Sequence, residues 1–130
     1  MSALRDVSNF IKVARFMSAM EQELPKKSGF PNKEIVSLRI NLIEEELREL
    51  CGAVKDKDIV EVADALADLL YVVYGAGHAF GINLDIAFNN VHVSNMSKLG
   101  EDGKPIYRED GKVLKGPHYF PPKLERALTL

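Results

Sequence analysis

The stretch "EVADALADLLYVVYG" at residues 61–75 restricts the fold more than any other part of the chain. Read as a helix it is apolar on nearly every side, and such a helix is normally buried by its neighbours. Yet Glu61, Asp64 and Asp68 stand within it at positions i, i+3 and i+7, inside about 60° of arc. A buried helix that carries three acids on one side needs something to neutralise them, because ionised carboxylates lose hydration and repel one another when buried together.

A second acidic group lies just upstream. In "IEEELREL", residues 43–50, Glu45, Glu46 and Glu49 cluster on one side of a helix, with Glu46 about 60° from the centre of an Ile43/Leu47/Leu50 apolar stripe. Too few lysines and arginines accompany these helices to pair with all the acids. Oxygen donors without His or Cys suit hard divalent ions such as Mg²⁺ or Mn²⁺. The two groups therefore read as facing halves of one metal site formed by Glu45, Glu46, Glu49, Glu61, Asp64 and Asp68. A glutamate run alone is more often a solvated face; Asp64 and Asp68 lack a polar face to occupy, and aspartate is a poor helix former.

The rest of the chain supplies the frame. Apolar spacing at Val7, Phe10, Ile11, Ala14 and Met17 predicts a helix from about Ser2 to Leu24, ended by "PKKSGFPNK". Asn32 is placed to cap a second helix reaching about Val54, with Ile43, Leu47, Leu50 and Val54 as its buried stripe. After "KDKD" a third helix runs from about Asp58 to Phe80 and stops at Gly81. A fourth, capped by Asn83, reaches about Lys98. Short links between four amphipathic helices predict an all-α, antiparallel four-helix bundle. Beyond Gly100 the chain turns rich in Gly, Pro and Lys, and Asp110-Gly111 predicts a small hairpin or closely packed loop in a C-terminal extension, about 99–130. The 130 residues read most simply as one domain, with a helical core expected over about 2–98.

Composition narrows the function classes. With 46% apolar residues and a net charge of −2, the chain has no basic bias toward nucleic-acid polymers. The longest apolar stretch is too short and too interrupted for a membrane span, the N-terminus lacks a secretory apolar core, and the reading is a cytoplasmic protein. The single cysteine, Cys51, excludes an intramolecular disulfide and reads as a small residue near a packed face. "GAGHAFG" closes a helix and follows no strand, so it is no dinucleotide loop, and no GxxxxGK[ST] phosphate loop is present. None of His78, His92 and His118 follows a glutamate by three residues, which argues against a di-iron carboxylate bundle.

Glu45-Glu46-x-x-Glu49 followed by Glu61-x-x-Asp64 resembles the EExxE…ExxD pattern of the all-α nucleoside triphosphate pyrophosphohydrolases, a superfamily that includes MazG-like enzymes and phosphoribosyl-ATP pyrophosphohydrolase. "LRINLIEEELREL", "ADLLYVVYGAGHAFGI" and "SNMSKLGEDGKPI…DGKVLKGPHYFPP" are similar to the phosphoribosyl-ATP-pyrophosphohydrolase-like branch. In some branches the aspartate precedes an "LLY"-type stretch, an alignment that selects Asp68 with Ala65 in the glutamate position, so the resemblance leaves Asp64 and Asp68 as alternative main ligands. The resemblance implies Mg²⁺-dependent cleavage of the α–β phosphoanhydride of a nucleotide, with Glu46 or Glu49 activating water. The alternatives are phosphoribosyl-ATP as the substrate, or a non-enzymatic cation-binding interaction module.

Candidate substrate contacts follow from position. Asn95 and Lys98 share a helix side with Phe88 and Val91 and are expected to face the bundle, where Lys98 suits phosphate. Lys115 and Tyr119 in the extension are placed to close over phosphate and base. Arg39 lies two turns before Glu46 on nearly the same face. Phe16, Met20, Gln22 and Phe30 are left open as pocket residues. The all-round apolar third helix predicts self-association as a homodimer or homotetramer.

Overall fold

The computed structural model describes residues 6–128. It is all-α, as the periodicity predicts: α1 (Asn9–Ala19), α2 (Lys33–Lys55), α3 (Ile59–Ala79) and α4 (Leu84–Met96), then a 3-10 turn at Glu125–Leu128. Among the described residues the only β pairing is an isolated bridge between Tyr107 and Val113. The chain divides into two compact units, one of residues 6–83 with Leu128 and the other of residues 84–127.

In the first unit α3 is the central element, with α2 packed along it and α1 against it. Side chains start α2 and α3 where the sequence places them, and Ser8 starts α1 later than the sequence reading has it. Asn32 Oδ1 accepts from the Ile35 N–H at 2.9 Å, Asp58 Oδ1 from the Glu61 N–H at 3.2 Å, and Ser8 Oγ from the Ile11 N–H at 3.2 Å. The ends obey a common rule. The Gln22 N–H reaches Met17 O, Asp58 N–H reaches Ala53 O, and Ile82 N–H reaches Gly77 O, each with a left-handed residue one position earlier.

Those left-handed residues are Glu21 (φ 59°), Lys57 (φ 54°) and Gly81 (φ 68°). This explains why α1 stops at Ala19, five residues before the expected Leu24: its terminating residue is a glutamate, and the sequence carries no glycine to announce the turn. Its start is also later than expected, at Asn9, and residues 2–5 lie outside the described residues.

The inner face of α1 is Phe10, Val13 and Met17, whereas Ile11 is exposed. Phe10 stacks on the His78 ring at a centroid distance of 3.7 Å, and His78 Nε2–H donates to the Phe10 carbonyl at 2.7 Å. The linker of residues 25–31 docks against the end of α3. The Gly29 N–H donates to Phe80 O at 2.9 Å, Phe30 meets Phe80 edge to face, and a Cβ on Gly81 would lie 2.5 Å from the Lys27 carbonyl oxygen. Glycine at 81 thus serves both the left-handed turn and the close approach of the linker.

The buried stripe of α2 differs from the expected one. Leu47 and Val54 are 48% and 58% exposed, and the inner face is instead Arg39, Ile43, Glu46, Leu50 and Ala53. The spacing of these five follows the helical period as well as the expected stripe did, and only the position of α3 selects between them. Cys51 is exposed rather than close to a packed face.

In the second unit the inner face of α4 is small and polar. Buried Ser94 donates to Phe120 O at 2.7 Å, and Ser97 Oγ accepts from the Phe120 N–H at 3.1 Å, which ties the C-terminal extension to the helix. Phe88, 74% exposed, and Val91 do not lie on that face, contrary to expectation. The expected turn at Asp110-Gly111 is present: Arg108 N–H donates to Lys112 O at 2.8 Å, Gly111 has φ 87°, and Arg108 pairs with Asp110. No helix among the described residues is long and apolar enough to cross a membrane.

Candidate functional site

Because α2 and α3 run antiparallel, stepping seven residues along each carries one facing pair into the next. Glu46 faces Asp68, and two turns away Arg39 faces Gly75. The first pair brings the acids together. Ligand oxygens of Glu46, Glu49 and Asp68 lie within 4.8 Å of one another.

Glu46 is the centre of this group. It sits on the buried face of α2, and its Oε2 is buried without a hydrogen-bond partner. Its carboxyl is pushed above the usual carboxylate range, first by burial, then by the charge and hydrogen bond of Glu49, and further by Asp68 and Glu45. A carboxylate in this setting either holds a proton or faces a cation. Three carboxylates within one ion's reach, with a buried oxygen unsatisfied and no nitrogen or sulfur donor among them, fit a hard divalent cation.

The other predicted acids stand apart from this trio. Asp64 is one turn from Asp68 along α3, about 6 Å, and Glu61 two turns, about 10 Å, and neither is among the residues whose ligand oxygens converge. Both are exposed, as are Glu45 and Glu49. Between the alternatives Asp64 and Asp68, it is Asp68 that faces Glu46.

The second pair is a buried arginine against a glycine. Arg39 is 8% exposed and Nη2 donates to Gln22 Oε1 at 3.3 Å, while Nε has no partner. Burial pushes the guanidinium below its usual range. A Cβ on Gly75 would lie 2.6 Å from Arg39 Nη1, so glycine makes room for the guanidinium against α3. Among the described residues, Arg39 Nε and Glu46 Oε2 are the two side-chain polar atoms buried without a partner. Both lie on one stripe of α2, about 10 Å apart along the axis.

Arg39 also lines a cavity of about 380 Å³ at the end of the helix pair, where the docked linker closes over the start of α2. Its walls include Pro25, Pro31 and Leu38, and its polar side chains include Gln22 and Glu23. Of the pocket residues left open by the sequence, Gln22 is here, whereas Phe16 packs edge to face on Tyr71. Glu23 and Gly75 escaped sequence reasoning. The available signal was Arg39 itself, a charge in register with the apolar positions Leu42 and Ile43.

In the second unit, Asn95 and Lys115 are exposed and Lys98 is half-buried. The exposure of Asn95 differs from the inward orientation expected of it, because the inner face of α4 is set by Ser94 and Ser97. Lys115 Nζ lies 4.7 Å from the centre of the Tyr119 ring, so these two predicted contacts touch each other.

Comparison with known proteins agrees with this architecture. Residues 13–95 match the phosphoribosyl-ATP pyrophosphohydrolase family, a span that holds α2, α3 and both facing pairs. An uncharacterized protein of Acanthamoeba polyphaga mimivirus is 40% identical over 84 residues, which are 65% of this chain and 31% of that relative. The matching region thus spans less than a third of the relative's length. The chain belongs to the phosphoribosyl-ATP pyrophosphohydrolase family, within the MazG-like all-α pyrophosphohydrolase superfamily.

Proposed function

We propose that this chain is a divalent-cation-dependent nucleoside triphosphate pyrophosphohydrolase that cleaves the α–β phosphoanhydride, releasing a nucleoside monophosphate and pyrophosphate and serving to clear surplus or modified nucleotides. The observation that carries the proposal is the convergence of Glu46, Glu49 and Asp68 around a buried, unsatisfied carboxylate oxygen. These three residues would hold Mg²⁺ or Mn²⁺, with Glu45, Glu61 and Asp64 close enough along their helices to serve a second ion or its waters. Bound there, the cation would screen the triphosphate from the carboxylates and acidify a water.

The chain's own residues supply the rest. Either Glu46 or Glu49 would orient the water and take its proton as its oxygen bonds to the α-phosphorus. The bond from that phosphorus to the bridging oxygen breaks, and pyrophosphate leaves. Lys98, Lys115, Tyr119 and Asn95 are proposed as further substrate contacts. The enzyme is proposed to act in the cytoplasm as a homodimer or homotetramer. Support for self-association comes from the apolar side chains that one copy leaves exposed on α3, among them Ile59, Leu66, Leu70 and Val73, which fall on one helix side.

The test is release of pyrophosphate from a panel of nucleoside triphosphates with Mg²⁺, with EDTA as control. Metal-dependent release that disappears in Glu46→Gln, with helicity retained, is expected. Saturable Mg²⁺ binding without turnover of any nucleotide would instead favour the non-enzymatic cation-binding module. A second substrate reading, phosphoribosyl-ATP, is favoured by the family that residues 13–95 match. It offers the same phosphoanhydride, and a higher kcat/KM for phosphoribosyl-ATP than for any triphosphate would establish it.

A further inference from the structure

The Arg39 cavity has no assigned role, and its chemistry is specific. It combines a nearly buried guanidinium, lacking an ion pair among the described residues and held by one 3.3 Å bond to Gln22, with a carboxylate, Glu23, and apolar walls that include Pro25, Pro31 and Leu38. A buried guanidinium left short of acceptors favours a ligand that brings them. A second anion would meet repulsion from Glu23. A neutral planar ring offering two adjacent acceptors on one edge and donors on another satisfies both groups.

Among nucleobases that pattern is guanine. Its O6 and N7 form an acceptor pair that a guanidinium binds in bidentate fashion, and its N1–H and 2-amino group donate toward a carboxylate. Adenine places a donor beside N7, which opposes a guanidinium, and the pyrimidines lack the bicyclic width to present separate edges to Arg39 and Glu23 together.

Resting on the pyrophosphohydrolase reading above, we infer that the Arg39–Glu23 cavity is the base-recognition pocket and that it selects guanine nucleotides. The spacing fits that use. Arg39 and Glu46 share the inner stripe of α2 two turns apart, about 10 Å, a separation of the order of that between the base and the phosphates of one nucleotide. Gly75 keeps the guanidinium in place from below, since any side chain there would displace it from α3.

The experiment edits the base one atom at a time. In the full chain with Mg²⁺, kcat/KM is measured for GTP, 7-deaza-GTP, ITP, ATP, CTP and UTP. GTP is expected to lead, with 7-deaza-GTP, which lacks N7, and ITP, which lacks the 2-amino group, each lower by about tenfold or more. Arg39→Leu, which removes every donor to N7, should erase the 7-deaza penalty, and Glu23→Gln should shrink the ITP penalty. Because Glu23 is exposed, its variant tests the pocket even if the Arg39 variant fails to fold. A second arm measures guanosine binding by NMR in EDTA, with no phosphate, metal or turnover involved.

Guanosine binding that weakens in Glu23→Gln supports the pocket even if no nucleotide is hydrolysed, in which case only the reaction falls. Turnover indifferent to the base, or led by another base, with no guanosine binding, overturns the pocket while the reaction stands.

Discussion

Replacing Gly75 by alanine tests whether Arg39 is held against α3 as the structure has it. Within a helix the change alone would stabilise by about 1 kcal/mol, because glycine is a poor helix former. Here the new Cβ would fall 2.6 Å from Arg39 Nη1 and 3.6 Å from Cζ. The guanidinium must retreat by about 1 Å to reach ordinary contact. It is only 8% exposed, so the retreat moves other side chains, at about 1–3 kcal/mol for overpacking. It also strains the bond to Gln22 Oε1, which contributes about 1 kcal/mol. The losses exceed the gain, and Gly75→Ala is expected to destabilise by about 1–3 kcal/mol.

Gly52 provides the internal control. It lies in α2, and a Cβ added there would have nothing within 4 Å, so Gly52→Ala keeps the propensity gain, about 0.5–1 kcal/mol, without the clash. Urea unfolding followed by circular dichroism, in EDTA and at one protein concentration, reads both. If Gly75→Ala stabilises as much as Gly52→Ala, Arg39 does not press on α3 and the packing account of this pair is refuted. In an Arg39→Leu background the Gly75 penalty should shrink by about 1 kcal/mol or more, the coupling expected of residues in contact.

Three further outcomes follow from the same geometry. Glu46 has a folded-state pKa above its unfolded value, so the metal-free fold holds the extra proton and loses stability as pH rises from the unfolded value through the folded one; Glu46→Gln should flatten that loss and make the metal-free protein more stable than wild type above neutrality, read by urea titrations across pH in EDTA, and equal pH profiles would contradict it. Asp68→Asn should weaken Mg²⁺ binding by calorimetry at least tenfold, and Asp64→Asn by less, because Asp68 faces Glu46 and Asp64 is a turn away; the reverse order would return Asp64 to the centre of the site. Glu21→Gly should raise stability by about 0.5–1 kcal/mol, since glycine occupies φ 59° without the cost that left-handed backbone imposes on glutamate; a destabilised variant would place another interaction at that turn.

Much of the architecture was legible in the chain because local chemistry decides it. Asn32 and Asp58 start α2 and α3 through their own side chains, Gly81 ends α3 through its backbone freedom, and Asp110-Gly111 forms the turn it predicts. The acids of "EEELRE" and "ADALAD" marked a candidate site, and the structure brings Glu46, Glu49 and Asp68 of them together while Asp64 stands exposed. Legibility stopped where a competing choice had no local signature, as at Glu21, where a residue unsuited to left-handed backbone ends α1.

Which acids meet was a different kind of question. Two stripes on α2, one through Leu47 and one through Glu46, satisfy the helical period equally well, and rotation of the helix by a fraction of a turn exchanges them. Only the seating of α3 against α2 decides, with Asp68 opposite Glu46 and Gly75 opposite Arg39. The sequence by itself determined that the helices exist, where α2 and α3 begin, and that they carry hard oxygen donors, because those follow from residues a few positions apart. The tertiary structure decided that Glu46 rather than Leu47 turns inward and that Arg39 is buried beside a cavity, because facing contacts depend on two helices at once and periodicity describes only one.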